Sequence, residues 1–376
     1  MNKKKIKILY TIPNFDTAGS GIPLFKLAQR LDKNIFEVEI ACLHDKGILF
    51  KQVKKSGMKI HIINLYPNAR PIMNMLKDCY KLSKIFTKIN PDIIHSYHYA
   101  ANYTESIAAR IAGIKWIYTK KNMSWFGPSY RGWRLRSFLS HGILCQNSDM
   151  MNIFFPRNSK AKLIPIGVDI DQFKKQPSKK ELLLKWEINE EDRIIITVAN
   201  LVPIKGIEVL IKAFSRTIVN FSNWTLLIVG NDQTEYAKEL KIIVNENRNI
   251  AKKIIFTGKQ SNVRQYLDLA EIFVLPTSIK WGGEGAPIAI LEAMANNKVV
   301  LGSKIPGIKD QLNCSPQNLF KPDNEEDLFE KLKIFMSNNR IENHKVGFKF
   351  YNYVVANHNL SIEKDSVQNF YKKIIK

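Results

Sequence analysis

Short apolar runs alternate with amphipathic stretches along this chain, and that alternation narrows its fold more than any other feature. In the first half the runs are Ile6–Ile12, Phe36–Leu43, Lys59–Asn64, Ile93–Ser96, Trp116–Thr119, Gly142–Gln146 and Lys162–Ile166. Stretches with helical spacing, 22–31, 48–56, 74–89 and 100–112, fall between them. A second set begins at Arg193–Val198 and continues at Thr225–Val229, Lys253–Phe256, Ile272–Leu275 and Lys298–Leu301. Its helical stretches lie near 206–219, 233–247, 261–269, 287–296 and 325–337. Short buried runs separated by helices are the pattern of βαβ units and a parallel sheet.

Two such sets in 376 residues predict an α/β chain of two Rossmann-like domains. The join is expected near 172–180, where QFKKQPSKK is polar and carries Pro177. A polar break at Asn357–Ser361 precedes a last helix, Ile362–Ile375. The crevice between two domains of this kind is a usual ligand site.

Charge is the unusual part of the composition. The formal net charge is +23, and residues 1–175 hold 29 Lys+Arg against 11 Asp+Glu, a net of +18. Such asymmetry suits an anionic partner, either nucleic acid or a membrane surface; the chain is also rich in Lys, Ile and Asn throughout, so compositional drift is the competing reading. Cys42, Cys79, Cys145 and Cys314 show no C-x-x-C spacing, which argues against zinc and disulfides and fits a reducing cytoplasm. The basic start MNKKKIKILYTIPNF reads as a first strand rather than a signal peptide, and no apolar run is long enough to span a bilayer.

The segment Glu284-Gly-Ala-Pro-Ile-Ala-Ile-Leu-Glu292-Ala-Met-Ala has two carboxylates eight positions apart. Pro287 suits a first helical turn, so Glu284 is expected in the preceding loop and Glu292 about two turns inside the helix. Amides of residues 286–288 (Ala286, Pro287, Ile288), beside Gly285, would form an anion site at the helix start. Binding of a sugar on a nucleotide diphosphate needs all three parts: amides for phosphate, one carboxylate for sugar hydroxyls, the other for ribose.

The stretch 281–302 resembles the E-x7-E signature of glycosyltransferase family 4, retaining enzymes with the GT-B fold. The resemblance implies two Rossmann-like domains facing a cleft, with the C-terminal helix packing back on the first. The boundaries are then 1–175 plus 358–376 for an acceptor-binding domain and 176–357 for a nucleotide-sugar-binding domain. Asn200-Leu-Val-Pro-Ile-Lys205-Gly206 resembles the family's G-R-L-x-x-x-K-G, whose two basic residues hold the diphosphate. Lys205 and Gly206 match; Asn200 stands where the family has Arg. Gly19-Ser20-Gly21 resembles the glycine loop over the donor phosphates, without its usual acidic follower. The family often has a His after the fourth strand that contacts the reacting sugar. His95 and His98 compete for that role, and His98 is preferred because alternation buries His95. Gly258-Lys259 would lie under the nucleotide base. Asp169-Ile-Asp171 reads as turn or cap residues rather than a metal motif, and no cluster has metal-ligand spacing.

The resemblance implies a metal-independent, cofactor-free, retaining transfer of a hexose from a nucleotide diphosphate sugar, UDP-sugar favoured, to an acceptor hydroxyl. His98, Lys205 and Glu284 are the expected catalytic residues. The competing readings are a catalytically inactive sugar-nucleotide-binding or scaffold protein, because of Asn200, and a nucleic-acid-binding protein, for which no recognised motif is present. Lys77, Lys81, Lys84 and Lys88 form one stripe on helix 74–89. In 130–143, Leu135, Leu139 and Ile143 suit the core while Tyr130, Arg131, Arg134 and Phe138 share the other side, with Trp125, Phe126 and Trp133 close by. Basic charge beside exposed aromatics favours an anionic membrane surface, a lipid-linked or glycolipid acceptor, and a location on the inner face of the plasma membrane.

Overall fold

The computed structural model describes residues 4–16, 18–125, 129–173, 179–246, 248–281 and 283–376. The chain forms two compact units, Met1–Gly167 with Leu360–Lys376, and Val168–Asn359. Residues 174–178 of the expected join, Pro177 among them, lie outside the described residues, as does Phe126.

The first unit is built on seven strands: β1 Ile6–Thr11, β2 Phe36–Cys42, β3 Lys59–Ile62, β4 Ile93–Ser96, β5 Lys115–Lys120, β6 Gly142–Cys145 and β7 Ala161–Leu163. All neighbours pair in parallel, in the order β3-β2-β1-β4-β5-β6-β7. Central strands are apolar on both faces because helices cover both. One face buries Ile8, Tyr10, Leu24, Leu27 and Tyr371. The other buries Leu9, Cys79, Phe86, Trp116 and Trp133. The last helix, Leu360–Ile375, belongs to this unit through Val367, Phe370 and Tyr371. The Tyr371 hydroxyl donates to Tyr10 Oη at 2.7 Å and lies 2.6 Å from His95 Nδ1.

The second unit has six parallel strands: β8 Arg193–Val198, β9 Trp224–Val229, β10 Ile254–Gly258, β11 Ile272–Leu275, β12 Val299–Ser303 and β13 Leu319–Phe320, ordered β10-β9-β8-β11-β12-β13. In helix Ile207–Thr217 the apolar positions 207, 210, 211 and 214 recur at helical spacing, and all four are buried. They pack with Trp224, Leu226 and Phe335 in one core.

Helix Arg340–Asn357, absent from the sequence-based expectation, opens with a capping box between Asn339 and Glu342. Its buried residues, Asn343, Gly347, Phe350 and Val354, follow helical spacing, but two of the four are polar or have no side chain. The apolar stripe is therefore too thin to see in sequence. Helix Tyr130–Leu139 also differs from expectation. Trp133 and Arg136 are its buried residues, Leu135 is exposed, and Trp125 is buried as well. The spacing 133–136–140 sets the inward face, and a buried arginine occupies it.

Candidate active site

Both sheets reverse strand order next to their first strand, β1 beside β4 and β8 beside β11. Ligands of open parallel sheets bind outside the carboxyl ends of strands at such switch points. Most of the sequence-predicted residues follow the strands at these two places; Gly258 and Lys259 follow the edge strand β10 instead.

In the second unit, β8 runs into a tight turn at Pro203–Lys205, and Gly206 follows at φ +59°. A Cβ on Gly206 would meet the Pro276 carbonyl oxygen at 2.3 Å, so only glycine lets the β8 turn lie against the loop after β11. The Ser278 amide donates to Ile204 O at 2.9 Å and fixes the same contact. Lys205 is thereby carried onto the Glu284 carboxylate, with which it forms an ion pair. Thr277 Oγ1 donates to the same Glu284 oxygen at 3.1 Å. Both charged side chains stay partly exposed, at 18% and 15%. Sequence reasoning gave Lys205 and Glu284 separate tasks and missed Thr277, whose only signal is its place just after β11.

The helix after Glu284 is Ile288–Ala295, with Pro287 as its N-cap. This corrects two expectations. Pro287 has no N–H, so among 286–288 only Ala286 and Ile288 can offer amides to an anion. Glu292 lies about one turn inside the helix, not two, and is half-buried. Gly285 is buried between these residues. Asn200 is exposed in the turn after β8, its carbonyl accepting from the Val202 amide at 3.0 Å. Gly258 ends β10 at φ +70°, with Asp232 beside it, and Lys259 is exposed.

In the first unit, helix Ala18–Arg30 starts earlier than expected, so Gly19, Ser20 and Gly21 form its first turn rather than a preceding loop. A Cβ on Gly21 would meet Leu49 Cδ2 at 2.7 Å, which ties that glycine to packing. The free amides of this first turn remain the groups able to meet an anion.

His98 follows β4. Its ring stacks on Tyr66 with centroids 4.0 Å apart and lies 3.4 Å from the Arg136 guanidinium. Burial, reinforced by the Arg136 charge, pushes the imidazole down to about 3. His98 is therefore neutral at physiological pH. His95 is fully buried, and its two nitrogens are taken by Tyr371 and by Thr119 at 2.8 Å. Arg136 donates to the carbonyls of Ala100 and Asn102, each at 2.9 Å, and of His98 at 3.2 Å. Arg136 thus holds the loop that carries His98.

Among the described residues no group of three His, Cys, Asp or Glu side chains is arranged to hold a metal ion.

The family profile described as "Glycosyltransferase Family 4" matches residues 18–172, and "Glycosyl transferases group 1" matches 178–350. The chain belongs to glycosyltransferase family 4 and has the GT-B fold of two parallel-sheet α/β domains. It is 25% identical over 316 residues to the Staphylococcus aureus capsular polysaccharide biosynthesis glycosyltransferase CapH, covering 80% of this chain and 82% of that protein. It is 25% identical over 301 residues to the Escherichia coli UDP-Gal:alpha-D-GlcNAc-diphosphoundecaprenol alpha-1,3-galactosyltransferase, covering 76% and 75% of the two chains. The crystal structure of Anabaena HepE in complex with UDP and glucose superposes with a TM-score of 0.82 at 16% identity, over 98% of this chain and 99% of that one.

Proposed function

We propose that this glycosyltransferase moves a hexose, with retention and without a metal ion, from a UDP-sugar to a hydroxyl of a lipid-linked saccharide in cell-surface polysaccharide synthesis. The observation that carries the reading is the Lys205–Glu284–Thr277 cluster at the β8/β11 switch point, next to the amides of Ala286 and Ile288. The E. coli relative's name, with its UDP-galactose donor and diphosphoundecaprenol-linked acceptor, supports both substrates.

The second unit binds the nucleotide sugar. The arriving diphosphate competes with Glu284 for Lys205, and the released carboxylate is then available to the sugar hydroxyls. Negative charge growing on the departing diphosphate is met by Lys205 and fixed backbone amides, which need no reorganisation as the bond breaks. Glu292 takes the ribose, with Asn200, Gly206 and Gly285 lining the diphosphate and Gly258 and Lys259 the base. The first unit binds the acceptor, while its first-turn amides at Gly19, Ser20 and Gly21 serve the donor phosphates and the neutral His98 serves the reacting sugar. The exposed stripe Lys77, Lys81, Lys84 and Lys88, beside exposed Met73, Leu76 and Tyr80, rests on an anionic membrane surface at the cytoplasmic leaflet. No helix among the described residues is long and apolar enough to cross a membrane.

A thermal-shift panel of UDP-, GDP- and ADP-sugars tests the donor, because a ligand that binds only the folded chain raises its apparent stability. Stabilisation by a UDP-sugar, followed by transfer to a diphospholipid-linked saccharide in the presence of EDTA with an axial product anomer by NMR, is the expected result. Binding without transfer or donor hydrolysis would instead mark an inactive sugar-nucleotide-binding protein.

A further inference from the structure

We infer that the first unit carries a separate pocket for the phosphate-bearing end of a lipid. The pocket has a volume of about 290 Å³ and lies between helix Tyr130–Leu139 and the segment after β6. Its floor is aromatic. Trp125 stacks on Phe154 with centroids 5.0 Å apart and interplanar angle 11°, and meets Phe155 edge-on at 5.1 Å. All three rings are buried. The lip is Phe138, whose side chain is 74% exposed.

The rim is cationic, and no carboxylate is among the described residues that line the pocket. Lys160 Nζ donates to the carbonyls of Phe138 at 3.1 Å and Ser140 at 3.0 Å, which leaves one of its three N–H bonds. Capping the end of helix Tyr130–Leu139 accounts for Lys160 alone. Arg134 makes no hydrogen bond or ion pair among the described residues and only lies over the Tyr130 ring at 5.6 Å. Lys160 Nζ also lies 6.0 Å from the Phe138 ring centroid, yet that ring stays 74% exposed, and capping leaves the Arg134 guanidinium without an anionic partner among the described residues.

The chemistry selects an amphiphile. An unmodified sugar would leave two cations unpaired, and inorganic phosphate would leave Phe138 in water. A phosphate with an attached hydrocarbon chain satisfies both, the phosphate accepting from Arg134 and Lys160 while the first carbons of the chain lie on Phe138 and the aromatic floor. A volume near the lower end for ligand sites fits the head and the first carbons rather than a whole chain. The occupant is the lipid phosphate of the acceptor, an assignment that rests on the lipid-linked acceptor proposed above.

Isothermal titration of the full chain with geranyl phosphate tests the pocket. Saturable one-to-one binding is expected, at least about tenfold tighter than that of geraniol or inorganic phosphate. Arg134→Gln and Phe138→Ser alter exposed side chains, so both should fold, with unchanged circular dichroism and unchanged UDP affinity. Each should weaken geranyl phosphate about tenfold. Equal binding of geraniol, or unchanged affinity in both variants, would overturn the pocket. Displacement of geranyl phosphate by dioctanoyl phosphatidylglycerol with equal affinity would overturn its assignment to the acceptor. The UDP-sugar thermal shift reads the second unit, so it fails or succeeds independently of this titration.

Discussion

Lys205 and Glu284, 79 positions apart in sequence, form an ion pair at the ends of adjacent parallel strands. Each is held by its own turn, so the pair is preorganised rather than a chance surface contact. Glu284→Ala should lower turnover by about 2–4 kcal/mol of barrier, roughly thirtyfold to a thousandfold, while UDP affinity changes far less. Lys205→Met should lose UDP affinity and turnover together. Steady-state kinetics with UDP titrations of both variants separate the roles. Loss of UDP binding in Glu284→Ala at an unchanged turnover would reverse the assignment.

Gly206→Ala should act through geometry alone. Gly206 sits at φ +59°, and an added Cβ would lie 2.3 Å from the Pro276 carbonyl oxygen. Left-handed backbone without glycine costs roughly 1–3 kcal/mol, before the clash is counted. The variant should unfold at lower urea and bind UDP less tightly, because the β8 turn must withdraw from the β11 loop and take Lys205 with it. Unchanged UDP affinity would mean that Lys205 does not contact the diphosphate.

Asn200 is exposed in the same turn, where the family has an arginine. A base of the first unit, Lys120 or Lys121, could stand in for that arginine. Lys120 is fully buried and its ammonium donates to Asn122 and Ser124, which leaves Lys121. With the place unfilled, Asn200→Arg should tighten UDP binding, by about threefold to thirtyfold for one added charge-assisted hydrogen bond. Isothermal titration reads it, and weaker binding would show that the place is already filled.

The two-sheet fold was legible because parallel strands buried on both faces leave unbroken apolar runs, as at Ile93–Ser96 and Ile272–Leu275. Lys205 and Glu284 stood out through motif spacing. Their pairing did not, because it depends on a long-range contact between Gly206 and Pro276. Helix starts were misplaced by prolines. Pro23 lies inside its helix and Pro287 caps the next relevant one, where sequence reasoning put both helix starts at or beside the proline. Arg136 was invisible for a different reason. A charged residue on an inward face is read as surface until its ring and carbonyl partners, Trp116, Tyr118 and the 98–102 loop, are in view.

Buried histidines set the acid limit of the first unit. Burial lowers His95 from 6.5 to about 3. The unfolded chain then binds a proton that the folded one refuses, so stability falls as pH drops through 6.5 toward 3. The slope is about 1.4 kcal/mol per pH unit for one such group. Glu363 has the opposite sign. Burial raises it from 4.5 to about 7, so its contribution is present below 4.5 and lost as pH rises through 7. Urea unfolding between pH 4.5 and 6.5 should show a shallower loss on acidification in His95→Gln than in the wild type, and a steeper one in Glu363→Gln. Parallel curves for all three proteins would remove both groups from the acid response.

The last prediction concerns the surface of helix Ile72–Ile89. Met75, Cys79, Leu82 and Phe86 face the core, and Lys77, Lys81, Lys84 and Lys88 are all exposed. Ile72, Met73, Leu76 and Tyr80 are exposed on the same helix, at 65%, 77%, 46% and 53%. Lysines alone would describe a solvated face, but four large apolar groups left in water beside them describe a face with a partner. Each basic residue near an anionic bilayer contributes about 1 kcal/mol, and the attraction is screened by salt. Cosedimentation should rise with the fraction of anionic lipid and fall with added salt. Replacing the four lysines with Gln should weaken binding by about two to three orders of magnitude, while Met73→Ser with Leu76→Ser should weaken it without changing the salt slope. Equal partitioning onto neutral and anionic vesicles would leave the lysines as solubilising charge and direct the acceptor search toward soluble saccharides.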